Sequence, residues 1–420
     1  MRKNLNVNLK NNTMNLHTTS RLCAFVWLFL LILPLSSCTR RWNVNQSSEV
    51  VNEIIEEIVV AAPDPLQIQA AEIVSSLDDR LLAAQVFICG IDGRGTLPPH
   101  IIALLGEYPP GGVMFFRVNL NTPNDEIRNL LDETVSLVRE ESGIAPFIAV
   151  DHEGGTVNRF QRGVATLPAA SVYWELALAE GKQAALEKIE EDSLRAGSEI
   201  FDLGFNLNFA PVAEHLNDDN REFLASRSYG PDPVFTAQAA AAFIRGMEQA
   251  GVLCVVKHFP GSAGPDPHYS LSVIKGDRAA IDELAYPFAA LVGDGIRAVM
   301  AAHTAVPAID NVIASLSAAV MEDWLRGELG FAGIIISDDF RMAAAGGQNP
   351  EELAVTSIAA GSDIVLVWPQ DLRRTHREIL SALEDGRLSR ERLREAVQRI
   401  IYEKLRMGIE SKSLTVLNQP

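Results

Sequence analysis

Short apolar runs alternate with longer amphipathic segments along most of the chain. There are eight runs: Gln85 to Cys89, Gly112 to Phe116, Phe147 to Val150, Phe205 to Phe209, Val252 to Val256, Ala298 to Ala302, Gly333 to Ile336 and Asp363 to Val367. Their near-continuous Val, Ile, Leu and Phe content suits strands buried on both faces of a parallel sheet. Between them, stretches such as Asp125 to Glu140 and Thr236 to Gln249 repeat apolar positions at helical spacing. Asp371 to Asp385 and Ser389 to Met407 read as two closing helices. This alternation predicts an α/β fold, a closed (β/α)8 barrel of the TIM type, as a single catalytic domain over residues 70–412 with a tail at 413–420. No glycine fingerprint for a dinucleotide opens the first unit, which argues against an open doubly wound sheet.

Ahead of this pattern lies a different kind of segment. Arg21 precedes an apolar run from Leu22 to Leu35, too short for a comfortable membrane span but of the length of a secretory signal core. It ends in Leu35-Ser36-Ser37-Cys38, which resembles a bacterial lipoprotein signal. Cleavage would leave Cys38 as the lipidated N-terminus after a signal peptide over 1–37, and Met14 would give that signal a more usual start than Met1. Residues 38–69 are polar, then acidic, and include Ala61-Ala62-Pro63-Asp64-Pro65, so they read as a linker to the body. The expected location is the bacterial cell envelope, with the lipid as the membrane partner.

Charge narrows the choice of ligand. The 420 residues are 47% hydrophobic and 21% charged with mean hydropathy +0.09, as in a globular chain. With 54 acidic against 36 basic residues the formal net charge is -18, which disfavours nucleic acid as a partner. Four cysteines cannot build a disulfide framework, and Cys89 and Cys254 sit within apolar runs as small hydrophobes.

In a barrel of this type chemistry gathers at the C-terminal ends of the strands. Run two is followed by Arg117, run three by Asp151-His152-Glu153-Gly154-Gly155, and run five by Lys257-His258-Phe259-Pro260-Gly261. Run six is followed by His303, run seven by Ser337-Asp338-Asp339 and run eight by Trp368. Charges converging on one mouth cost desolvation unless a ligand or each other pairs them. There is no phosphate loop, no His-Glu-x-x-His helix and no Gly-x-Ser-x-Gly elbow, and no metal or cofactor is expected. What remains suits a neutral, polyhydroxylated ligand. Asp338 fits a covalent nucleophile toward an oxocarbenium-like centre.

The order and spacing of these segments resemble glycoside hydrolase family 3, in its single-domain β-N-acetylhexosaminidase branch, from about Ile73 to Gly408. The matching segments are Ala149 to Gly155, Asn208 to Val212, Ser226 to Gly230, Lys257 to Gly261, Ala302-His303, Ser315 to Ser317 and Gly333 to Asp339. The resemblance implies a retaining, exo-acting hydrolase that removes terminal β-linked N-acetylglucosamine from a carbohydrate substrate such as a cell-wall muropeptide, without a cofactor. It makes Asp338 the nucleophile and His268, backed by Asp266, the acid/base. It places Asp151, Arg159, Arg227, Lys257 and His258 on the substrate hydroxyls. The sequence departs from the family pattern where Ser262 stands for a His, Glu214 for an Asp, Thr156 for an Arg and Asn158 for a Gln, and the loop before Asp266 is about two residues short. A family 3 β-glucosidase is the alternative enzyme; a non-catalytic, lipid-anchored sugar-binding protein is the alternative outside enzymes.

Overall fold

The computed structural model describes residues 64–409 apart from 161, 265, 267, 268 and 343–347. Cys38, the signal, most of the linker, the tail and His268 lie outside the described residues.

The strands, in chain order, are β1 (Phe87–Gly90), β2 (Gly112–Phe115), β3 (Phe147–Val150), β4 (Leu207–Asn208), β5 (Leu253–Cys254), β6 (Val256–Phe259), β7 (Ser272–Val273), β8 (Ala298–Ala301), β9 (Thr304–Val306), β10 (Asp310–Ile313), β11 (Ile334–Ser337) and β12 (Val365–Val367). One parallel sheet runs β12-β1-β2-β3-β4-β5 and another β6-β8-β11. A parallel bridge between Ile336 and Ile364 joins β11 to the start of β12, and one between Val212 and Lys257 continues the β4 side onto β6. The barrel is therefore closed, and every strand that lines it is buried along nearly its whole length. β7, β9 and β10 form a small separate sheet above the mouth side of β8.

Two staves differ from their expected runs for local reasons. The fourth narrows to Leu207–Asn208 because Pro211 has no N–H to donate; its carbonyl still accepts from Lys257 N at 3.0 Å. The fifth breaks at Val255, whose N–H bonds Asn208 O at 2.9 Å, and then resumes as β6 through Phe259. Lys257 and His258 thus sit on a strand, not beyond its end. The first strand starts at Phe87 because Gln85 closes the helix Asp79–Gln85.

The helices lie where their spacing put them: Asn124–Ser142, Pro233–Gln249, Pro369–Asp385 and Arg390–Arg406, the last capped by Ser389. Among the described residues, packing includes the helix that opens at Pro65. Asp64 caps the helix Pro65–Ser76 and accepts from Tyr402 Oη at 2.6 Å, and Ala70, Ile73 and Val74 of that helix join the core. Cys89 and Cys254 are free and buried, and burial raises both thiols.

At the N-terminal end of the barrel, Asp363 is fully buried and holds three arginines. It accepts from Arg326 at 2.6 Å, from Arg392 and Arg399 at 3.0 Å each, and from the Ile335 N–H at 3.0 Å. Burial would raise its carboxyl, but the three guanidinium groups and that N–H outweigh it and hold it below the usual range. Asp363→Asn is expected to destabilise the fold by about 3–5 kcal/mol at neutral pH in urea unfolding. A carboxylate with a depressed folded pKa contributes stability that is full above its unfolded pKa and is lost as pH falls through the folded one. The gap between wild type and variant therefore narrows below about pH 4. An equal gap at pH 7 and pH 3 would contradict this assignment.

Candidate active site

The site is built outward from the end of β3. After Asp151, His152 turns inward: burial pushes its imidazole down to about 4, and its ring packs edge-on against Phe160 at 5.3 Å. Its main chain exchanges hydrogen bonds with the side-chain amide of Asn208, at 2.9 and 3.0 Å, locking β3 to β4. The following Gly154-Gly155 must be glycine on two counts. Both have positive φ (102° and 55°), and a Cβ would stand 2.3 Å from Pro168 O at the first and 2.7 Å from Ala169 Cβ at the second. That tight turn brings Arg159 back onto Asp151.

The result is a buried chain of alternating charge. Arg159 pairs with one oxygen of Asp151, and Lys257 Nζ donates to the other at 2.7 Å. Lys257 also lies 2.6 Å from Glu153 Oε1, and Arg227 closes on Glu153 with two bonds of 2.8 Å. Burial would raise Glu153, but Lys257 and Arg227 hold it far below the ordinary carboxylate range. The order Arg159, Asp151, Lys257, Glu153, Arg227 carries one more positive than negative charge. Arg159, Asp151, Lys257 and Arg227 of this chain line one cavity with Asp338.

Asp338 follows β11, and its neighbour Asp339 has a different task. The Asp339 N–H donates to Asp338 Oδ1 at 2.8 Å. The Asp339 carboxylate is engaged on both oxygens, accepting Trp368 Nε1 at 2.7 Å and the Arg341 N–H at 2.9 Å. Trp368 in turn stacks on Phe116 with ring centroids 4.9 Å apart, over Gly90, where a Cβ would come within 2.9 Å of the Phe116 ring. Asp338 keeps its second oxygen for the cavity, which it lines. Burial would raise its carboxyl, but His303, His258, the Asp339 N–H and Lys257 outweigh it and hold it below the usual range. His303 is buried, which lowers its pKa; its Nδ1 lies 2.8 Å from Ser315 Oγ and its ring stacks on Phe340 at 4.9 Å.

Two adjoining cavities, of about 190 and 270 Å³, meet at Asp151, Arg159 and Asp338. The first is walled by Arg227, Lys257, His258, Ser262 and His303, the second by Phe116, Asp339 and Trp368. Asp338 and all five expected substrate-binding residues therefore converge. Asp266 is described, and its carbonyl accepts from Tyr269 N at 3.0 Å and Ser270 N at 3.2 Å, but it does not line either cavity. Arg117, grouped with the mouth by its place after run two, instead opens the short helix Arg117–Leu120 and donates to Asn158 O at 2.8 Å. A larger cavity of about 570 Å³ lies at the opposite end of the barrel, against Arg297, Gly333 and Tyr402, and contains none of these residues.

Four residues of the site were given no role from the sequence: Glu153 and His303, noted only as following strand runs, and Glu214 and Ser262, noted only as departures from the family pattern. Glu214 is fully buried behind β6, 2.7 Å from His258 Nδ1 and 2.5 Å from Ser262 Oγ. Its signal in the sequence was its place just beyond the end of the fourth run, where it is the first acid. Among the described residues no three candidate ligands gather in a metal-holding group.

A closed parallel barrel with carboxylates and cations converging on a cavity at its C-terminal mouth fits the class of barrel enzymes that act on carbohydrates. Residues 99–402 match the model of the glycosyl hydrolase family 3 N-terminal domain, and the chain belongs to that family, a family of glycoside hydrolases. It is 30% identical over 349 residues to "Beta-hexosaminidase A" of Pseudoalteromonas piscicida, covering 77% of this chain and 58% of that one. It is 33% identical over 307 residues to "Beta-hexosaminidase" of Hydrogenovibrio crunogenus, covering 71% and 83%. The solved family 3 β-N-acetylglucosaminidase of Paenibacillus sp. superposes with a TM-score of 0.74 at 31% identity, covering 80% of this chain and 63% of that one.

Proposed function

We propose that this chain is a retaining, exo-acting hydrolase that removes terminal β-linked N-acetylglucosamine from glycans through a glycosyl ester on Asp338. The observation that carries the reading is the state of Asp338: a carboxylate held ionised, with one oxygen pinned by Asp339 N–H, at the junction of two sugar-sized cavities. The hexosaminidase and β-N-acetylglucosaminidase relatives support the choice of sugar. Cavities of this size suit one or two rings, in keeping with action at a chain end.

In the first step the free Asp338 oxygen bonds to the anomeric carbon while the bond from that carbon to the glycosidic oxygen breaks. The departing oxygen takes the electron pair and a proton, which we assign to His268 with Asp266 behind it. Water then attacks the same carbon, gives its proton back to that base and releases Asp338 as a carboxylate. Asp151, Arg159, Arg227, Lys257 and His258 would meet the hydroxyls of the sugar, offering both donors and acceptors.

We also propose that Cys38 carries a lipid that anchors the enzyme in the bacterial cell envelope. Glycans within reach of such an anchor are those of the cell wall, so muropeptides are the proposed natural substrates.

For the full chain acting on an aryl N-acetyl-β-glucosaminide, Asp338→Ala is expected to lower kcat by at least about a thousandfold with little change in stability. Unchanged turnover would end the assignment. For the anchor, fatty-acid labelling in a bacterial host is expected to mark the wild-type chain and to miss Cys38→Ser; a labelled variant would contradict it.

A further inference from the structure

We propose that Glu214 and Ser262 are positioning residues that fix the hydrogen on His258 Nδ1, so that His258 Nε2 meets a substrate hydroxyl as an acceptor. The recognition step rests on the glycosidase reading above; the pairing itself does not.

Glu214 is fully buried, and both of its oxygens are spoken for. Oε1 lies 2.7 Å from His258 Nδ1 and 3.4 Å from the His258 N–H, and Oε2 lies 2.5 Å from Ser262 Oγ. Burial would raise this carboxyl, but the hydrogen bond from His258, the Ser262 hydroxyl and Arg227 oppose that and hold it below the usual carboxylate range. An ionised carboxylate can only accept. Ser262 must therefore donate, and Nδ1 of His258 must carry hydrogen. In a neutral ring that leaves Nε2 as a lone-pair acceptor.

The surroundings make such an acceptor matter. Of the charged groups that line the same cavity, Lys257, Arg159 and Arg227 are donors only, each oxygen of Asp151 already accepts from one of those cations, and the free oxygen of Asp338 is assigned to the anomeric carbon. A sugar hydroxyl is a donor as well as an acceptor. Beside Lys257, a fixed Nε2 acceptor can satisfy the donor half of one ring hydroxyl, so this position discriminates a hydroxyl from its absence. A site built to bond a hydroxyl discriminates strongly against a ligand that lacks it. Ser262 contributes by satisfying the far oxygen of Glu214, which otherwise would be a buried acceptor without a donor.

The test is a histidine-nitrogen spectrum of the full chain labelled with ¹⁵N-histidine, with the His258 resonance identified by its loss in His258→Asn. The expected pattern, on the neutral-imidazole side of the His258 titration followed in the same spectra, is Nδ1–H with a bare Nε2. Glu214→Gln replaces an obligate acceptor with an amide that also donates, so it is expected to mix the two tautomers. It should also lower kcat/KM for an aryl N-acetyl-β-glucosaminide about tenfold to a hundredfold, mostly through KM. Glu214→Asp, with the charge kept but a shorter reach, should recover part of the loss, and Ser262→Ala should show a smaller loss in the same direction. A neutral ring protonated on Nε2 in the wild-type chain overturns the proposal whatever the activity. A shifted tautomer in Glu214→Gln with unchanged kcat/KM overturns the recognition role. Absence of turnover in the wild type overturns the glycosidase reading, and the spectrum still decides the pairing.

Discussion

The structure turns on one buried ammonium. Lys257 reaches from β6 to Asp151 and Glu153 on the far side of a sequence gap of about a hundred residues, and its side chain is 5% exposed. Desolvating a lysine is costly, and a buried ion pair is poor evidence for stability in itself. Here the cost is offset by two carboxylates, which are themselves held by Arg159 and Arg227. What the network gains is definition: two strands, the turn after β3 and the loop carrying Arg227 are tied to one point. Lys257 then adds to His303, His258 and the Asp339 N–H in holding Asp338 ionised.

Two adjacent acids with opposite assignments show how environment divides labour. Asp338 and Asp339 are chemically identical and consecutive, yet Asp339 spends both oxygens on Trp368 and Arg341 while its own N–H pins Asp338. Asp339 is thereby a strut for the aromatic wall and for its neighbour. Asp338 is left with an oxygen facing the cavity, in a setting that keeps it charged. Glu214 repeats the principle one layer deeper, buried beneath His258 rather than beside the ligand.

Much of this was legible in the sequence, and the parts that were not share a cause. β3 and β11 were plain because Phe147 to Val150 and Ile334 to Ile336 are short, unbroken apolar runs that suit a doubly buried strand, and the polar residues following them marked the mouth. The helices were plain because their apolar stripes are long. Less legible were β4 and the break at Val255, where a proline and one main-chain hydrogen bond override an apolar run. The roles of Glu214 and Ser262 were hidden because their contacts cross 44 and 48 residues, and no local pattern encodes a partner that far away. Asp363 and its three arginines were invisible for the same reason, since the guanidinium groups come from two different helical segments and converge only after the barrel closes.

The most direct measurement is to trap the covalent species. A fluorinated N-acetylglucosaminyl donor that forms the glycosyl ester faster than water can cleave it, followed by digestion and mass mapping, reports which carboxylate was attacked. An added sugar mass on Asp338 is the predicted result. A sugar on Asp339, or continued turnover with no adduct on any peptide, would contradict the assignment of Asp338 as the nucleophile.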